Sequence, residues 1–545
     1  MNTRTEGLFQ RQATGLVREA GTWSTLIYNI NFVSIGLMML FVIQLEPAFY
    51  PGGDMLASYM LALLIVLPTS LVFSLFAAAM PRSGGDYVYV SRILGPRLGM
   101  MSSWINTIWW FIYGGVPSAF FARYGLGPLF RNVGLLSGNS SLVDIGSWFV
   151  TPTGTIITGA LLIAGLVVIF SLGLGVYFRL QNALFVVAVV GLVITGLVLV
   201  AGSQDAFKQN LDHLFGKPNT YQAVLDAASN AGFTQAPFNW YWSLIPITWI
   251  YLELVFNQSS AYIGGEIKRA SRIQIWSMPL AAIISVAIAM LLTGLFERTV
   301  GTQFLGAVSF DGGQTLGLGS APTFSELASY VSGSTFVALL IGVGFVFWSY
   351  TWLPGQILNA SRNLLAYSLD GVLPARLGSV NDRYHTPIVS LAVVGALSTV
   401  ALVVYATNPD FTTLVGIVAF IVSFIIVSIA AILFPYRKRA IWEASPIAWR
   451  VGNIPVITIV GLVSLIALLV AEWAYLNDPL SGVNVLNGLT PVITDKDGAL
   501  TKDAVRFALA GLTVLSGLVI YEVSRIVRAR SGVRLEASFE EIPVE

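Results

Sequence analysis

The sequence predicts an all-α membrane protein of twelve transmembrane helices. Three observations predict it. Of the 545 residues, 55% are hydrophobic and only 10% are charged, whereas ordinary soluble domains carry about 25% charged residues. Apolar stretches of roughly 20 residues, the length that crosses a bilayer, recur twelve times. The 29 Lys and Arg residues fall mostly on alternate connections between those stretches, as the positive-inside rule expects. Each stretch is helical, because lipid offers no partner to the backbone of an open strand or loop. The dyad alternation of a membrane β-barrel is absent.

Composition excludes several functions. A net charge of +1 gives no basic field for phosphate backbones, so no nucleic acid partner is expected. There is no cysteine, hence no disulfide or thiolate metal site. His213 and His385 are too far apart in sequence to make a metal-ligand pattern. No Ser/His/Asp set, HExxH or GxxxxGK[ST] appears, so neither an enzyme nor an ATP-driven pump is expected, and no cofactor is implied.

The elements follow in order. Residues 1–22 are polar, with Arg4, Glu6, Arg11, Arg18 and Glu19, and lack a signal-peptide core. The apolar stretches lie near 23–46, 55–79, 98–122, 153–175, 178–201, 242–263, 275–296, 335–357, 386–406, 411–434, 453–476 and 504–527. With the N-terminus cytoplasmic, 21 of the Lys and Arg residues lie inside and 8 outside. Both termini are therefore expected in the cytoplasm and the chain in the plasma membrane, surrounded by lipid. The stretches divide as five (23–201), five (242–434) and two (435–527). The external connection 202–241 has an apolar spacing that suits short surface helices. The tail, 528–545, is polar and expected to be disordered beyond the last helical turn.

Transporters often bind substrate at the midplane, where corresponding helices of two repeats are broken. Under a five-five-two division, stretch 1 corresponds to stretch 6. Stretch 1 holds Asn29, Asn31, Ser34 and Gly36 within eight residues. Ser and Asn compete for backbone hydrogen bonds, and Gly lowers the cost of leaving the helix. Interhelical packing by small polar residues is the other reading. Stretch 6 carries Glu253 and then four polar residues, Asn257, Gln258, Ser259 and Ser260. An acid inside the membrane faces a cavity or a partner. Glu253 reads as a ligand for a cationic group, a proton carrier or a buried neutral carboxyl. Trp109, Trp110 and Tyr113 in stretch 3, and Trp348, Ser349, Tyr350, Thr351 and Trp352 in stretch 8, supply aromatic and hydroxyl groups for a pocket wall or for packing.

Residues Pro81-Arg82-Ser83-Gly84-Gly85-Asp86-Tyr87-Val88-Tyr89, followed by Gly95-Pro96 and Gly99, resemble the loop signature of the amino acid–polyamine–organocation (APC) transporters. Ser361-Arg362, Tyr367, Asp370-Gly371 and Pro374, with His385-Thr386-Pro387, are similar to a second segment of that family. Gly265-Glu266-Ile267-Lys268 and Arg179-Leu180-Gln181-Asn182 are weaker matches. The resemblance covers roughly residues 15–440. It implies a LeuT-like fold: a five-plus-five inverted repeat with two peripheral C-terminal helices. It also implies secondary active transport of amino acids or related amines by alternating access.

On that resemblance the substrate carboxylate meets backbone amides of stretch 1 near Asn31, Val33, Ser34, Ile35 and Gly36. Its amino group meets the break of stretch 6 near Glu253, Val255, Phe256, Asn257 and Gln258. Trp109, Tyr113 and Trp352 wall the site. Gly84 and Gly85 let a re-entrant cytoplasmic gate helix pack closely, and Tyr87 and Tyr89 anchor it. The chain departs from the pattern in stretch 1, where Gly36 is the main glycine left. A Lys that serves proton coupling in some members maps to Ala188 here. The coupling ion is thus open between H⁺, with Glu253 as a candidate carrier, and Na⁺, with Ser349 and Thr351 helping to hold it against carbonyls of stretch 1. A ligand-binding receptor or sensor on the same fold, without transport, is the alternative function. Substrate identity, direction and oligomeric state are not readable from the sequence.

Overall fold

A computed structural model describes residues 15–408, 414–495 and 498–539. Arg4, Arg11, Lys496, the start of the tenth stretch at 411 and the last tail residues lie outside the described residues.

Stretch 1 is two helices, α1 (Thr22–Val33) and α2 (Ile35–Phe49), separated by Ser34 alone. Ser34 sits in the left-handed region at φ 48°, and its N–H reaches back to Ile30 and Asn31. A non-glycine residue there is uncommon. Helix α3 (Met55–Ala79) starts where the Asp54 side chain caps the Ala57 N–H. Two left-handed glycines, Gly84 and Gly85, turn the chain into the short α4 (Asp86–Ile93), every residue of which is buried.

Helix α5 (Pro96–Phe120) does not stop where the third stretch was expected to end. It passes through a π turn, Phe121–Leu126, into α6 (Gly127–Ser137). The apolar pattern predicts a connection beyond residue 122. Pro117 and the glycines at 125 and 127 look like breakers, but the π turn absorbs them without ending the helix. Helices α7 (Ser140–Val150), α8 (Pro152–Ser171) and α9 (Leu174–Ala201) follow.

The connection 202–239 forms α10 (Gln204–Phe215) and α11 (Thr220–Asn230). The Asp212 carboxylate accepts the Asn219 and Thr220 N–H groups between them, and these bonds hold that carboxyl below the usual range.

Stretch 6 is again interrupted. It comprises α12 (Trp240–Leu244), α13 (Ile247–Leu254) and two 3₁₀ turns, Ser259–Tyr262 and Gly264–Glu266. Then come α14 (Ala270–Thr299), α15 (Thr302–Phe310), α16 (Phe324–Ser332), α17 (Thr335–Leu369) and α18 (Ile388–Thr407). After them come α19 (Val415–Arg437), α20 (Arg439–Ala444), α21 (Val456–Asn477) and α22 (Lys502–Arg530). Two small hairpins, at 450–455 and 486–491, flank α21.

Ten of the described helices, with α1 and α2 taken together, are long and apolar enough to cross a membrane. The other two expected stretches are α5, whose apolar run is diluted by Ser102, Ser103, Asn106 and Thr107, and the interrupted α12–α13 segment. Burial sorts the helices. Nearly all of α1–α2 is enclosed, while α8, α9, α21 and α22 keep long apolar faces on the outside. Leu161, Val186, Leu197, Leu462 and Leu512 are among those exposed side chains, as lipid-facing helices require.

The tail corrects an expectation. Residues Leu535–Phe539 form a 3₁₀ turn after α22 rather than a free end. Leu535 and Phe539 are 1% and 5% exposed. Two apolar side chains in a polar tail gain by burial, and a groove beside Tyr87, Arg92 and Gly371 accepts them.

Candidate functional site

The two interruptions face each other. Past Leu254 the backbone leaves the α-helix: Phe256 and Asn257 N–H groups bond only three residues back. Phe256, on this irregular stretch, is the centre of an aromatic box. Phe32 stacks on it at 5.0 Å between ring centroids. Phe420, Trp352 and Tyr113 surround it at 5.4, 5.6 and 5.9 Å. The box thus joins α1, α5, α17 and α19 to the break after α13.

Polar groups bind the breaks to the scaffold. The Ser34 hydroxyl donates to the Trp348 carbonyl at 2.7 Å. Asn29 accepts the Ser260 N–H and donates to the Ser260 hydroxyl, both at 3.0 Å. The Ser70 hydroxyl donates to Asn257 at 2.5 Å, and the Asn257 amide caps the Leu254 carbonyl at 2.6 Å. Asn257 therefore spends both ends of its amide on holding the turn.

Other buried polar atoms have no protein partner. Among them are Asn31 Oδ1, both Glu253 carboxyl oxygens, both ends of the Gln356 amide and the indole nitrogen of Trp352. An interior polar group left unpaired is costly, and a carboxylate most of all. These are the places where a ligand, an ion or a proton would be stabilised.

Several candidate residues sit elsewhere. Trp109 lies at the rim of the box, with its ring 6.1 Å from that of Tyr113 between centroids, and donates its indole N–H to Thr513 on α22 at 3.2 Å. Gly36 serves a close approach: a Cβ there would lie 2.5 Å from the Trp348 side chain. Ser349 packs on Gly125 of the π turn and donates to the Val346 carbonyl. The Thr351 hydroxyl donates to the Trp348 carbonyl at 2.9 Å, beside Ser34. The Ser349 and Thr351 hydroxyls both donate to backbone carbonyls of their own helix, α17, and Glu253 is on α13. Val33, Ile35, Val255 and Gln258 are buried at the two interruptions. At Ala188 the main-chain carbonyl accepts the Trp348 indole N–H at 2.9 Å.

Phe32, Phe420 and Gln356 were missed. Phe32 had a signal, its place beside Asn31 in the polar cluster. Phe420 lies in an uninterrupted helix where no local irregularity marks it, whereas Gln356 directly follows Pro354 and Gly355 within α17.

At one end of the bundle the resembling segments meet. Gly84 and Gly85 let α4 pack closely: a Cβ would lie 2.7 Å from Ala366 at the first and 2.6 Å from the Tyr262 ring at the second. Tyr89 stacks on Phe76, and Tyr87 meets Tyr367 edge-on. Arg362 grips Glu266 with two bonds of 2.8 and 2.9 Å. Arg92 pairs with Asp370 at 2.8 Å. Glu19 and Ala20 donate main-chain bonds to Glu266, Lys268 donates to Ala20, and Gly84 donates to Tyr262. That end is closed by α4, the segment before α1 and the turn after stretch 6.

A family profile of amino acid permeases matches residues 21–493. The chain belongs to the amino acid permease family and is a multi-pass membrane protein. Among characterised relatives, it is 22% identical over 451 residues to the branched-chain amino acid permease BcaP of Bacillus subtilis (strain 168). The match covers 81% of this chain and 85% of that protein.

Proposed function

We propose that the protein is a secondary active transporter of an amino acid, working by alternating access in the plasma membrane. Related amines are the outer limit of the substrate class. The reading gives it twelve transmembrane helices, an inverted five-plus-five repeat with α21 and α22 outside it, and both termini in the cytoplasm. Substrate binds between the interruptions at Ser34 and at 255–258. The observation that carries this is the aromatic box around Phe256, bordered by buried polar atoms without partners on Asn31 and Glu253. Five rings suit an apolar side chain, which agrees with the name of the relative. The family makes a transporter a better reading than an enzyme. We favour a proton on Glu253 over Na⁺, because both of its buried carboxyl oxygens are without a protein partner.

Uptake of labelled leucine, isoleucine, valine and other amino acids into proteoliposomes tests the proposal, under imposed H⁺ and Na⁺ gradients in turn. Saturable uptake driven by a pH gradient is the expected result. Binding without flux would favour a receptor or sensor, and no saturable uptake or exchange of any amino acid or amine would overturn the reading.

A further inference from the structure

Asp478 follows the last residue of α21 and is fully buried. It collects donors from three parts of the chain. The Tyr50 hydroxyl, at the end of α2, donates to Oδ1 at 2.7 Å. The Thr248 hydroxyl, on α13, donates to Oδ2 at 2.5 Å. The Leu480 N–H donates to Oδ1 at 2.9 Å. Two further bonds brace the same point. The Trp249 indole N–H donates to the Tyr50 hydroxyl at 2.8 Å, and the Tyr475 hydroxyl donates to the Thr248 carbonyl at 2.6 Å. One carboxylate thus ties the helical half beyond each interruption, α2 and α13, to α21. Helix α21 is itself packed along α19 and α3, so the tie reaches a broad and rigid support.

We propose that Asp478 is a positioning residue for transport, fastening the outer halves of both broken helices to α21 in the closed arrangement. This rests on the transporter reading above, which makes α2 and α13 the elements that move when the site opens outward. Charge-assisted hydrogen bonds are stronger and shorter than neutral ones. The tie has a specific chemical need. Tyr50 already accepts from Trp249, so its proton must go to an acceptor, and Thr248 sends its proton to the same group. Asparagine matches the shape but offers a single acceptor oxygen, so the assembly stands and the fastening weakens.

The absence of native cysteine allows a direct test. Phe41 on α2 packs against Trp249, with ring centroids 5.7 Å apart, and is 7% exposed. Its contact breaks when α13 swings away. In proteoliposomes carrying the Phe41→Cys chain, a membrane-impermeant maleimide applied outside reads the opening. Asp478→Asn and Thr248→Val are expected to raise the labelling rate by about tenfold, the effect of weakening one hydrogen bond to a charged group. Thr248→Ser keeps the hydroxyl and should label at the starting rate. Unchanged rates in Asp478→Asn and Thr248→Val would overturn the proposal. So would equal acceleration by Val and Ser, which would mean packing rather than the hydrogen bond. If Asp478→Asn does not fold, the Thr248 pair decides alone. Leucine uptake is measured in the same vesicles: its absence everywhere would sink the transporter reading, while the labelling comparison still judges the fastening.

Discussion

Ser34 gives its hydroxyl to the main-chain carbonyl of Trp348 across 2.7 Å, joining the break in the first apolar stretch to the middle of α17. The same residue holds φ 48°, where a Cβ is strained. Two substitutions separate these effects. Ser34→Ala keeps the strain and loses the bond, at a cost of about 1 kcal/mol, so its Tm should fall. Ser34→Gly loses the bond but relieves the backbone, so its Tm should stay near the starting value. Transport should drop in both, because both lose the tie to α17. Thermal melts and uptake on the three proteins check this.

Glu253 tests the coupling. Glu253→Gln keeps the shape and removes the ionisable group, so uptake should lose its response to a pH gradient while counterflow exchange of substrate persists. The protein should be at least as stable, since a buried unpaired carboxyl is costly. An unchanged pH profile would make Glu253 structural.

Gln356 lies one helical turn beyond Trp352 with both ends of its amide unpaired. Replacing an unpaired buried polar group by an apolar one of similar size is neutral or stabilising. Gln356→Leu should therefore raise the Tm or leave it unchanged. Its apparent affinity for substrate should fall severalfold if the amide meets the ligand, as read from the KM of uptake.

Gly85 carries φ 44° and lies under the Tyr262 ring. Gly85→Ala introduces both strain and a clash, worth roughly 1–3 kcal/mol against the closed gate. Transport should fall and a single cysteine introduced beside α4 should label faster from the inside, whereas ligand binding in detergent should survive. Loss of binding as well would indicate misfolding.

Much of this architecture was legible because membranes impose simple demands. Long apolar stretches must be helices, and the polar residues at Ser34 and at 257–260 mark where the helix yields. The faces of the helices were not legible. Trp109 and Tyr113 differ by one turn, yet the first meets α22 and the second meets Phe256. Only the neighbours decide which way an aromatic points. The pairings Arg362–Glu266 and Arg92–Asp370 join residues from different motifs, and a one-dimensional reading cannot match them. The π turn escaped notice because proline and glycine normally signal an end.

The turn Leu535–Phe539 bears on how the protein is handled. Phe539 lies over Arg92 at 5.1 Å and against Tyr87 at 6.2 Å. Any truncation or fusion that displaced this turn would uncover two buried side chains of α4. Such a change would act on α4 as a mutation does, and kinetics measured with it need comparison with the unaltered tail.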